Sequence, residues 1–414
     1  MRISSCNWIF LAAFALFAPA CSSCSGKDIC MECGDFDGNY GTGTGSGSDT
    51  GSDTGTGTVP ACESSHTTLE WKPLPQSIDC GPGCRQLTFE EINDVNEWAA
   101  THRYVAYTDD LNGMMHVVDV DAGCYSDVEK EMGGSYPDIN GNRLVFVADD
   151  YGDPYRMRIE IIDLASGAMQ KCLEEVQTTY PHISYENPAL VGEKIAFKWK
   201  KRNENSDIIY PVDVDLYSIG EGRKTIFDSG RNTFYVRADG DYVVWEDDPN
   251  DLIPDIWAHK ISTGKTWNLT NHPSGQWLPR MDGTRVVWSD LRNGPEPSED
   301  GSLAHQDIYM HDFATGETTG ITNANWIHYG PDISGDRIVW TDYRACSDPN
   351  NKYDWDGTDI WMYDLKTKTQ HQITSTSGGE SEPQIDGDRI FYLKQIPTSG
   401  LFAIFVQELS ALGL

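Results

Sequence analysis

Basic side chains are scarce in this chain. Only 31 lysine and arginine residues stand against 64 aspartate and glutamate residues in 414 positions, and the formal net charge is −33. Nucleic acid and anionic lipid headgroups bind basic surfaces, so this balance argues against both as direct partners. The acidity suits cationic partners, divalent metal ions or solubility, and a solvated acidic surface is the simplest interpretation.

Several catalytic motifs are also missing. The chain has no HExxH zinc-binding helix and no GxSxG nucleophile elbow. Gly264–Thr266 reads GKT, but His259 stands where a phosphate-binding loop needs its first glycine. No part of the body has the period of a long amphipathic helix. These absences argue against a zinc peptidase, a serine hydrolase, a P-loop enzyme and a helical fold.

A block of sequence returns about every fifty residues. Pro331–Arg344 reads PDISGDRIVWTDYR, and Pro279–Arg292 reads PRMDGTRVVWSDLR. Within the block, apolar residues alternate with others as in a strand. Comparable runs begin near Arg103, Arg143, Lys194, Tyr242, Arg285, Arg337 and Arg389. A repeat of this length predicts many copies of one small unit, here seven sheets of up to four strands, with six or eight as alternatives.

The final unit is short of one strand. Arg389–Lys394 and Leu401–Leu409 supply two strands, and Pro383–Ile385 supplies a third. Before the first unit, Arg85–Phe89 reads RQLTF and matches the outer run HQIT at His371–Thr374. This N-terminal strand can complete the C-terminal sheet, which closes a circle and removes exposed edges. We therefore predict an all-β fold, a β-propeller spanning residues 85–414.

The repeat resembles the TolB-type propeller repeats of bacterial envelope proteins and archaeal surface proteins. The segments that carry the resemblance are GDRIVWTDYR, DIWMYDLKTK, DIYMHDFATGE and DIWAHKISTGK. It extends over residues 85–409 and is strongest over Asp239–Thr374. The resemblance implies the fold and not the role, because such propellers serve as scaffolds, binders and enzymes. TolB itself carries an N-terminal domain that has no counterpart here, so its role in its envelope complex is not implied.

The N-terminus reads as an export signal. Arg2 precedes an apolar run from Trp8 to Ala18 that is too short to span a bilayer. We interpret residues 1–20 as a signal peptide. The segment LFAPAC resembles a bacterial lipoprotein signal, which predicts lipidation at Cys21 and a location in the cell envelope, at the outer membrane, on its periplasmic or surface-facing leaflet. The alternative is ordinary cleavage near Ala20 and a soluble secreted protein.

Residues 21–60 form a cysteine-containing segment followed by a stretch of Gly, Ser, Thr and Asp over residues 34–59. With almost nothing apolar to bury, this stretch should act as a flexible tether with a span of about 25–30 Å. A cysteine-containing lead-in over residues 61–84 follows it. The membrane is thus expected to be a partner through a lipid anchor only.

Eleven cysteines in an exported protein predict disulfides. Cys80 and Cys84 can close a small loop, and Cys124 and Cys172, late in successive units, can join neighbouring blades. We expect one thiol to remain outside any disulfide and choose Cys346. A zinc site on the CxxC pairs at the start of the mature chain is an alternative, with the ligands Cys21, Cys24, Cys30 and Cys33.

Two long insertions, in the fifth and sixth units, are predicted to leave the same face and form a binding surface. The candidate anchors for a partner are His305, Tyr353 and Trp355. The sixth unit also places acidic residues beside the turn glycine Gly357, which suits calcium as a cofactor, although a solvated loop explains them equally. The candidate calcium ligands are Asp354, Asp356 and Asp359.

The repeated polar residues are interpreted as structural. Asp290 and Asp342 end equivalent runs, where each can accept backbone N–H bonds and pair with Arg292 or Arg344. His259 and His311 occupy equivalent strand positions and are placed on a strand surface.

The leading functional hypothesis is a non-catalytic, lipid-anchored β-propeller that binds an envelope or extracellular protein or glycan. An exported polysaccharide-active enzyme of the lyase-type propellers is an alternative; it would hold a metal with central histidines, for which His182, His272 and His328 are the candidates. A structural surface or adhesion element is the third hypothesis. The oligomeric state stays open.

Overall fold

The computed structural model describes residues 63–66, 69–75, 80–88, 95–109, 114–128, 133–150, 155–177, 182–203, 208–218, 221–228, 232–248, 253–294, 305–349, 357–376, 378–396 and 402–414. Predictions that concern residues 1–60, including the signal peptide, Cys21 and the tether, lie outside this part of the chain. No helix among the described residues is long and apolar enough to cross a membrane.

Within the described residues, thirty strands form seven antiparallel sheets, or blades, that surround a central channel. Three strands precede the first blade: β1 (Glu63–His66), β2 (Lys72–Pro73) and β3 (Cys84–Gln86). Blades 1 to 3 contain β4 (Val95–Ala100), β5 (Tyr104–Asp109), β6 (Met115–Asp119), β7 (Cys124–Val128), β8 (Gly133–Asn140), β9 (Arg143–Asp150), β10 (Tyr155–Asp163), β11 (Ala168–Gln177), β12 (His182–Val191), β13 (Lys194–Arg202), β14 (Ile208–Ser218) and β15 (Gly222–Asp228).

Blades 4 to 7 follow the same plan, each running outward from an innermost first strand. They contain β16 (Asn232–Asp239), β17 (Tyr242–Asp248), β18 (Asp255–Lys260), β19 (Lys265–Asn268), β20 (Gln276–Asp282), β21 (Arg285–Asp290), β22 (Asp307–Asp312), β23 (Glu317–Gly320), β24 (His328–Ser334), β25 (Arg337–Asp342), β26 (Asp359–Asp364), β27 (Thr369–Gln372), β28 (Glu380–Asp386), β29 (Arg389–Gln395) and β30 (Phe402–Glu408). A short 3₁₀ turn, Leu409–Leu412, follows β30.

The predicted seven-bladed propeller is confirmed. The second strand of every blade after the first begins at the residue that the repeat indicated, and the second strand of blade 1 begins at Tyr104, one residue after Arg103. The lead-in adds a finding that the repeat did not contain. β1 pairs with β11 and β2 pairs with β7, so blades 2 and 1 each have a fifth, outermost strand.

The ring closes as predicted, through an N-terminal strand. β3 pairs with β30 in the register Arg85 to Val406, and the order of blade 7 is β28, β29, β30, β3. The Leu87 N–H donates to the Ile404 carbonyl at 2.8 Å, and the Leu87 side chain is only 1% exposed. At the inner edge, the His102 N–H donates to Asp386 Oδ2 at 2.7 Å. Both edges of the final blade are therefore joined to blade 1.

The core lies between blades rather than within one. Val287 and Ile308 of blade 5 pack against Ile333, Ile338 and Trp340 of blade 6. Burial of this apolar area is the main stabilising term. The arginine that opens a second strand adds a polar tie, because Arg285 Nη1 donates to the Gly335 carbonyl of the next blade at 2.9 Å, as Arg337 Nη1 does to Gly387 at 3.0 Å.

The structural interpretation of the repeated aspartates agrees with the contacts. Asp342 is fully buried and accepts hydrogen bonds from Trp340 Nε1 at 2.9 Å and from Arg344 Nη2 at 2.6 Å. Asp290 repeats this arrangement with Trp288 and Arg292, both at 2.7 Å. His259 and His311 each bond a threonine hydroxyl of the neighbouring outer strand, at 2.7 and 2.9 Å; His311 is partly exposed, as predicted for a strand surface, whereas His259 is only 3% exposed and does not lie at the surface.

The disulfide between Cys80 and Cys84 is present, and Cys346 is buried with a reduced thiol. The predicted bridge between Cys124 and Cys172 is wrong. Cys124 has a free thiol at the start of β7, where it pairs with Pro73 of the extra strand β2. Cys172 is disulfide-bonded elsewhere and lies in the core between blades 2 and 3. Each cysteine lies beside an extra outer strand that the repeat does not reveal: Cys124 is opposite Pro73 of β2, and Cys172 follows Lys171, which is opposite Glu63 of β1.

Removing the Cys80–Cys84 disulfide should loosen the closure, because the bridge precedes β3 directly. A loop this small should contribute about 2 kcal/mol through the unfolded chain. We expect the double variant C80S/C84S to lower the urea midpoint of unfolding. C124S removes a thiol outside any disulfide and serves as the control; an equal shift in C124S would contradict the assignment.

Candidate binding site in the central channel

The innermost strands are interrupted by a bulge at the same point of the repeat. In blades 2 to 7 the ladder with the second strand shifts its register at this point. The residues there have φ between +49° and +59° and are Tyr136, Asn187, Tyr235, Leu278, Gly330 and Glu382. A left-handed residue costs about 1–2 kcal/mol unless it is glycine. Bulges redirect side chains, and these bulges surround the channel.

Proline follows the left-handed residue in five blades: Pro137, Pro188, Pro279, Pro331 and Pro383. Proline has no N–H for the ladder, so it belongs on an edge strand or at a bulge, and the innermost strand offers both. The backbone N–H of the left-handed residue donates to a side chain of the preceding blade. The Gly330 N–H donates to Ser289 Oγ at 3.2 Å, and the Glu382 N–H donates to Thr341 Oγ1 at 3.1 Å. Leu278 donates in the same way to Glu246 Oε1.

Two residues beyond each bulge residue, one position per blade forms a ring that we call the channel ring. Register with the second strand identifies its members. In blade order they are Ala99, Asp138, Ala189, Arg237, Arg280, Asp332 and Gln384. Acceptors in the ring tie one blade to the next: Asp332 Oδ2 takes the Ile385 N–H at 2.8 Å, and Gln384 Oε1 takes the Ala100 N–H at 2.9 Å.

The charged ring members share one space. The charges of Arg237 and Arg280 act on each other and on the carboxyl groups of Asp138 and Asp332. These residues belong to blades 2, 4, 5 and 6, which only the central channel brings together. All four side chains are partly exposed. The channel therefore holds a compact set of two guanidinium and two carboxyl groups.

Neither arginine makes an ion pair with another residue in the described part of the chain. Arg237 Nη1 donates to its neighbouring Val236 carbonyl at 2.9 Å, and its Nε is buried without a hydrogen-bond partner. The Arg280 side chain makes no hydrogen bond or ion pair with any described residue. Burial and the nearby Arg280 charge lower the pKa of Arg237 to about 10. Arg237 therefore remains charged at neutral pH, and both guanidinium groups keep unused donors.

The acidic groups of the channel hold protons unusually well. Burial raises the pKa of Asp332 to about 6, of Glu97 to about 7 and of Glu246 to about 8, although hydrogen bonds and nearby cations oppose the change. Burial also raises the pKa of Asp138 and Glu382. Near neutral pH these groups therefore carry less negative charge than their number suggests, and they neutralise the arginines incompletely.

Stability should fall as pH rises, because of Glu246. Its pKa is near 4.5 in the unfolded chain and about 8 in the fold, so between these values the folded state keeps a proton that the unfolded state has lost. Each unit of difference is worth about 1.4 kcal/mol, which makes the whole cost a few kcal/mol. We expect a melting temperature several degrees lower at pH 8.5 than at pH 5.5.

The variant E246Q should remove much of this loss. Its amide oxygen can still accept the Leu278 N–H, but it carries no charge at high pH. Thermal unfolding of E246Q and of E317Q, an exposed glutamate on β23, across this pH range checks the prediction. Equal pH slopes in E246Q and the native protein would place the titrating group elsewhere.

The site residues proposed from the sequence fall mainly outside the described chain: Tyr353, Trp355, Asp354 and Asp356. His305 is partly buried, with φ +63°, two residues before the start of β22. Asp359 opens β26 and accepts a hydrogen bond from Gln372 at 3.0 Å, and burial raises its pKa to about 6. The two insertions leave one face of the ring, because each joins the second strand of its blade to the third.

The histidines considered for a channel metal do not converge. His328 is buried inside blade 6, with Nδ1 3.5 Å from Asp307 Oδ1 and Nε2 3.5 Å from Asp342 Oδ2. His272 Nδ1 accepts the Ser274 N–H at 3.1 Å, and His182 opens β12 on the other side of the ring. Within the described residues, no three His, Cys, Asp or Glu side chains are arranged to hold a metal ion.

Comparisons with known proteins support the fold. No protein-family model and no curated protein matches the chain. An oligogalacturonate lyase solved with manganese aligns with a TM-score of 0.56 and 14% identity, over 85% of this chain and 99% of that one. The β-propeller domain of the Trilobed protease from Pyrococcus furiosus aligns with a TM-score of 0.55 and 14% identity, over 77% and 94%.

An acylaminoacyl peptidase from Pyrococcus horikoshii aligns with a TM-score of 0.57 and 16% identity, over 77% of this chain and 52% of that one. At these identities the likeness concerns the fold alone. Lyases and peptidases share it, so it does not select an activity. The chain has the β-propeller fold of these proteins, and its own channel residues must carry the functional argument.

Proposed function

We propose that this protein is a non-catalytic binding module of the bacterial cell envelope or surface, held by a lipid at Cys21, that takes a glycan or protein ligand at its central channel. The observation that carries the proposal is the pair Arg237 and Arg280. Two adjacent guanidinium groups without an ion pair among the described residues are costly in the empty protein. A ligand that supplies the missing acceptors removes that cost.

The architecture supports a binding role. Loops on a rigid scaffold commonly carry recognition, and the ring is closed at both edges of blade 7. The insertions of blades 5 and 6 emerge on the face where the innermost strands begin. A ligand entering the channel from this face would pass the candidate anchor His305.

The anchor is tested by the intact mass of the protein from its native membrane fraction. We expect a diacylglycerol and an acyl group on a chain that begins at Cys21. An unmodified chain beginning near this residue would overturn the anchored arrangement and favour a soluble exported protein.

The binding role is tested with the full-length protein and panels of envelope and extracellular glycans and proteins. Thermal shifts report binding, and mass spectrometry of each bound ligand after long incubation reports turnover. Saturable binding with the ligand recovered intact is the expected result. A shortened or unsaturated glycan product would instead establish the polysaccharide-active enzyme. Binding to neither panel would favour the structural surface element.

A further inference from the structure

Resting on the proposed function, we infer that Arg237 and Arg280 bind the carboxylate of an acidic sugar, either free or at the end of a glycan. The two residues occupy the same register position on adjacent blades, in β16 and β20. Their guanidinium forks can meet the two oxygens of one carboxylate from two sides. The planar guanidinium group of arginine is well suited to bidentate recognition of a carboxylate.

Several basic side chains elsewhere in the described chain pair with carboxylates, unlike Arg237 and Arg280. Arg292 and Arg344 each hold a buried aspartate, at 2.7 and 2.6 Å. In the wall of blade 3, Lys198 Nζ lies 2.9 Å from Glu186 Oε2, and Lys200 contacts the other oxygen of the same carboxylate. In a chain with a net charge of −33, carboxylates are abundant. Arg237 and Arg280 have no carboxylate partner among the described residues, so an external anion can bind between them.

The nearest carboxyl groups are already engaged. Asp332 accepts the Ile385 N–H at 2.8 Å, and Asp138 Oδ2 accepts the Leu190 N–H at 3.2 Å. Each bond ties the aspartate to the next blade and keeps it from closing onto an arginine. Neither carboxylate lies within 4 Å of a guanidinium nitrogen, in contrast to the surface and interblade arginine pairs.

The surroundings favour a sugar over other carriers of negative charge. Carboxyl groups of Asp138, Asp332 and Glu382 offer acceptors for hydroxyl groups, and the Tyr235 ring offers an aromatic surface in the same channel. A phosphate would bring a second negative charge among these acids. A peptide carboxyl terminus would need apolar pockets for its side chains, and Leu278 is the one large aliphatic residue among the described bulge and channel-ring positions.

The test uses the full-length protein with D-glucuronate and D-galacturonate as probes, D-glucose as the neutral match and an oligouronide as the chain-end form. Titration calorimetry should show saturable binding of the uronates and none of glucose. Tighter binding of the oligouronide would identify the glycan end as the ligand; equal binding would identify the free acid. Both results support the inference.

The variants R237Q and R280Q should each weaken uronate binding roughly 10- to 100-fold, since each removes charged hydrogen bonds. R156Q, which alters an exposed arginine on β10, should bind as the native protein does. If a glutamine variant does not fold, R237K and R280K keep the charge without the fork and should still lose most of the affinity.

Three results would overturn the inference while leaving the binding module intact. These are equal binding of glucose and uronates, native affinity in all arginine variants, or preference for a peptide with a free carboxyl terminus. Consumption of a uronide by the native protein, by contrast, would overturn the proposed non-catalytic function and leave the arginine site standing. The two failures are therefore distinguishable in one set of samples.

Discussion

A chain that begins at residue 91 should not form a stable closed ring, although it keeps all seven repeats. It lacks β3, which pairs with β30 and carries the chain to Leu87, a side chain 1% exposed in the core with Phe391 and Val406. Losing a buried leucine costs about 2–5 kcal/mol, and each lost backbone hydrogen bond about 1 more. We expect a total loss on the order of 5 kcal/mol, measured by urea unfolding.

Aggregation should accompany this loss. Without β3 the outer edge of β30 is unpaired, and Phe402–Val406 reads FAIFV, an apolar run of high β-propensity. Such an edge is a template for pairing with another chain. Light scattering of the refolded chain at increasing concentration should therefore rise in the chain that begins at residue 91.

Two longer chains serve as controls. A chain that begins at residue 61 keeps all described strands, and one that begins at residue 78 loses β1 and β2 but keeps the disulfide and β3. Both should unfold cooperatively, the second with a smaller loss of stability. If the chain that begins at residue 91 had the same urea midpoint as the others, closure by β3 would be unimportant for the ring.

The fold was predictable because its signals are local and repeated. Alternating apolar residues mark strands such as Arg285–Asp290 and Arg337–Asp342, and in blades 2 to 7 a turn glycine precedes the second strand. The closing strand was predictable for the same reason, since it repeats an outer-strand pattern. The extra strands β1 and β2 follow no repeat and could not be predicted from it, and the position of a cysteine in its unit did not predict its disulfide partner, as the incorrect Cys124–Cys172 bridge shows.

The candidate site was not predictable in the same way. Channel-ring positions differ from blade to blade, from Asp138 to Arg237 to Gln384, because no common packing role constrains them. A signal was present in the proline that follows the bulge residue, as in Gly330-Pro331-Asp332, but the left-handed bulge that it accompanies depends on the channel edge. Only the register of all seven sheets shows that Arg237 and Arg280 face the same space.

The largest effect of a single substitution is expected at Asp342. Its carboxylate is fully buried and accepts bonds from Trp340 Nε1 and from Arg344, with His328 Nε2 at 3.5 Å. The variant D342A leaves a buried indole N–H, a histidine and a half-buried guanidinium without their acceptor. Removing one partner of a buried ion pair costs about 3–5 kcal/mol, because the other charge remains uncompensated. Urea unfolding at neutral pH measures this loss.

A substitution at Asp290, the equivalent residue of blade 5, shows how much of the stability loss in D342A comes from the histidine contact. Asp290 holds Trp288 and Arg292 as Asp342 holds Trp340 and Arg344, but Gln276 stands where blade 6 has His328. D290A should therefore cost less than D342A, and the difference reports the histidine contact. D342N, which keeps an acceptor for the indole, should lose about half as much as D342A. If D342A destabilised the protein no more than E317A on exposed β23, the buried carboxylate would not contribute to stability. Its presence in two neighbouring blades would then require an explanation other than structure.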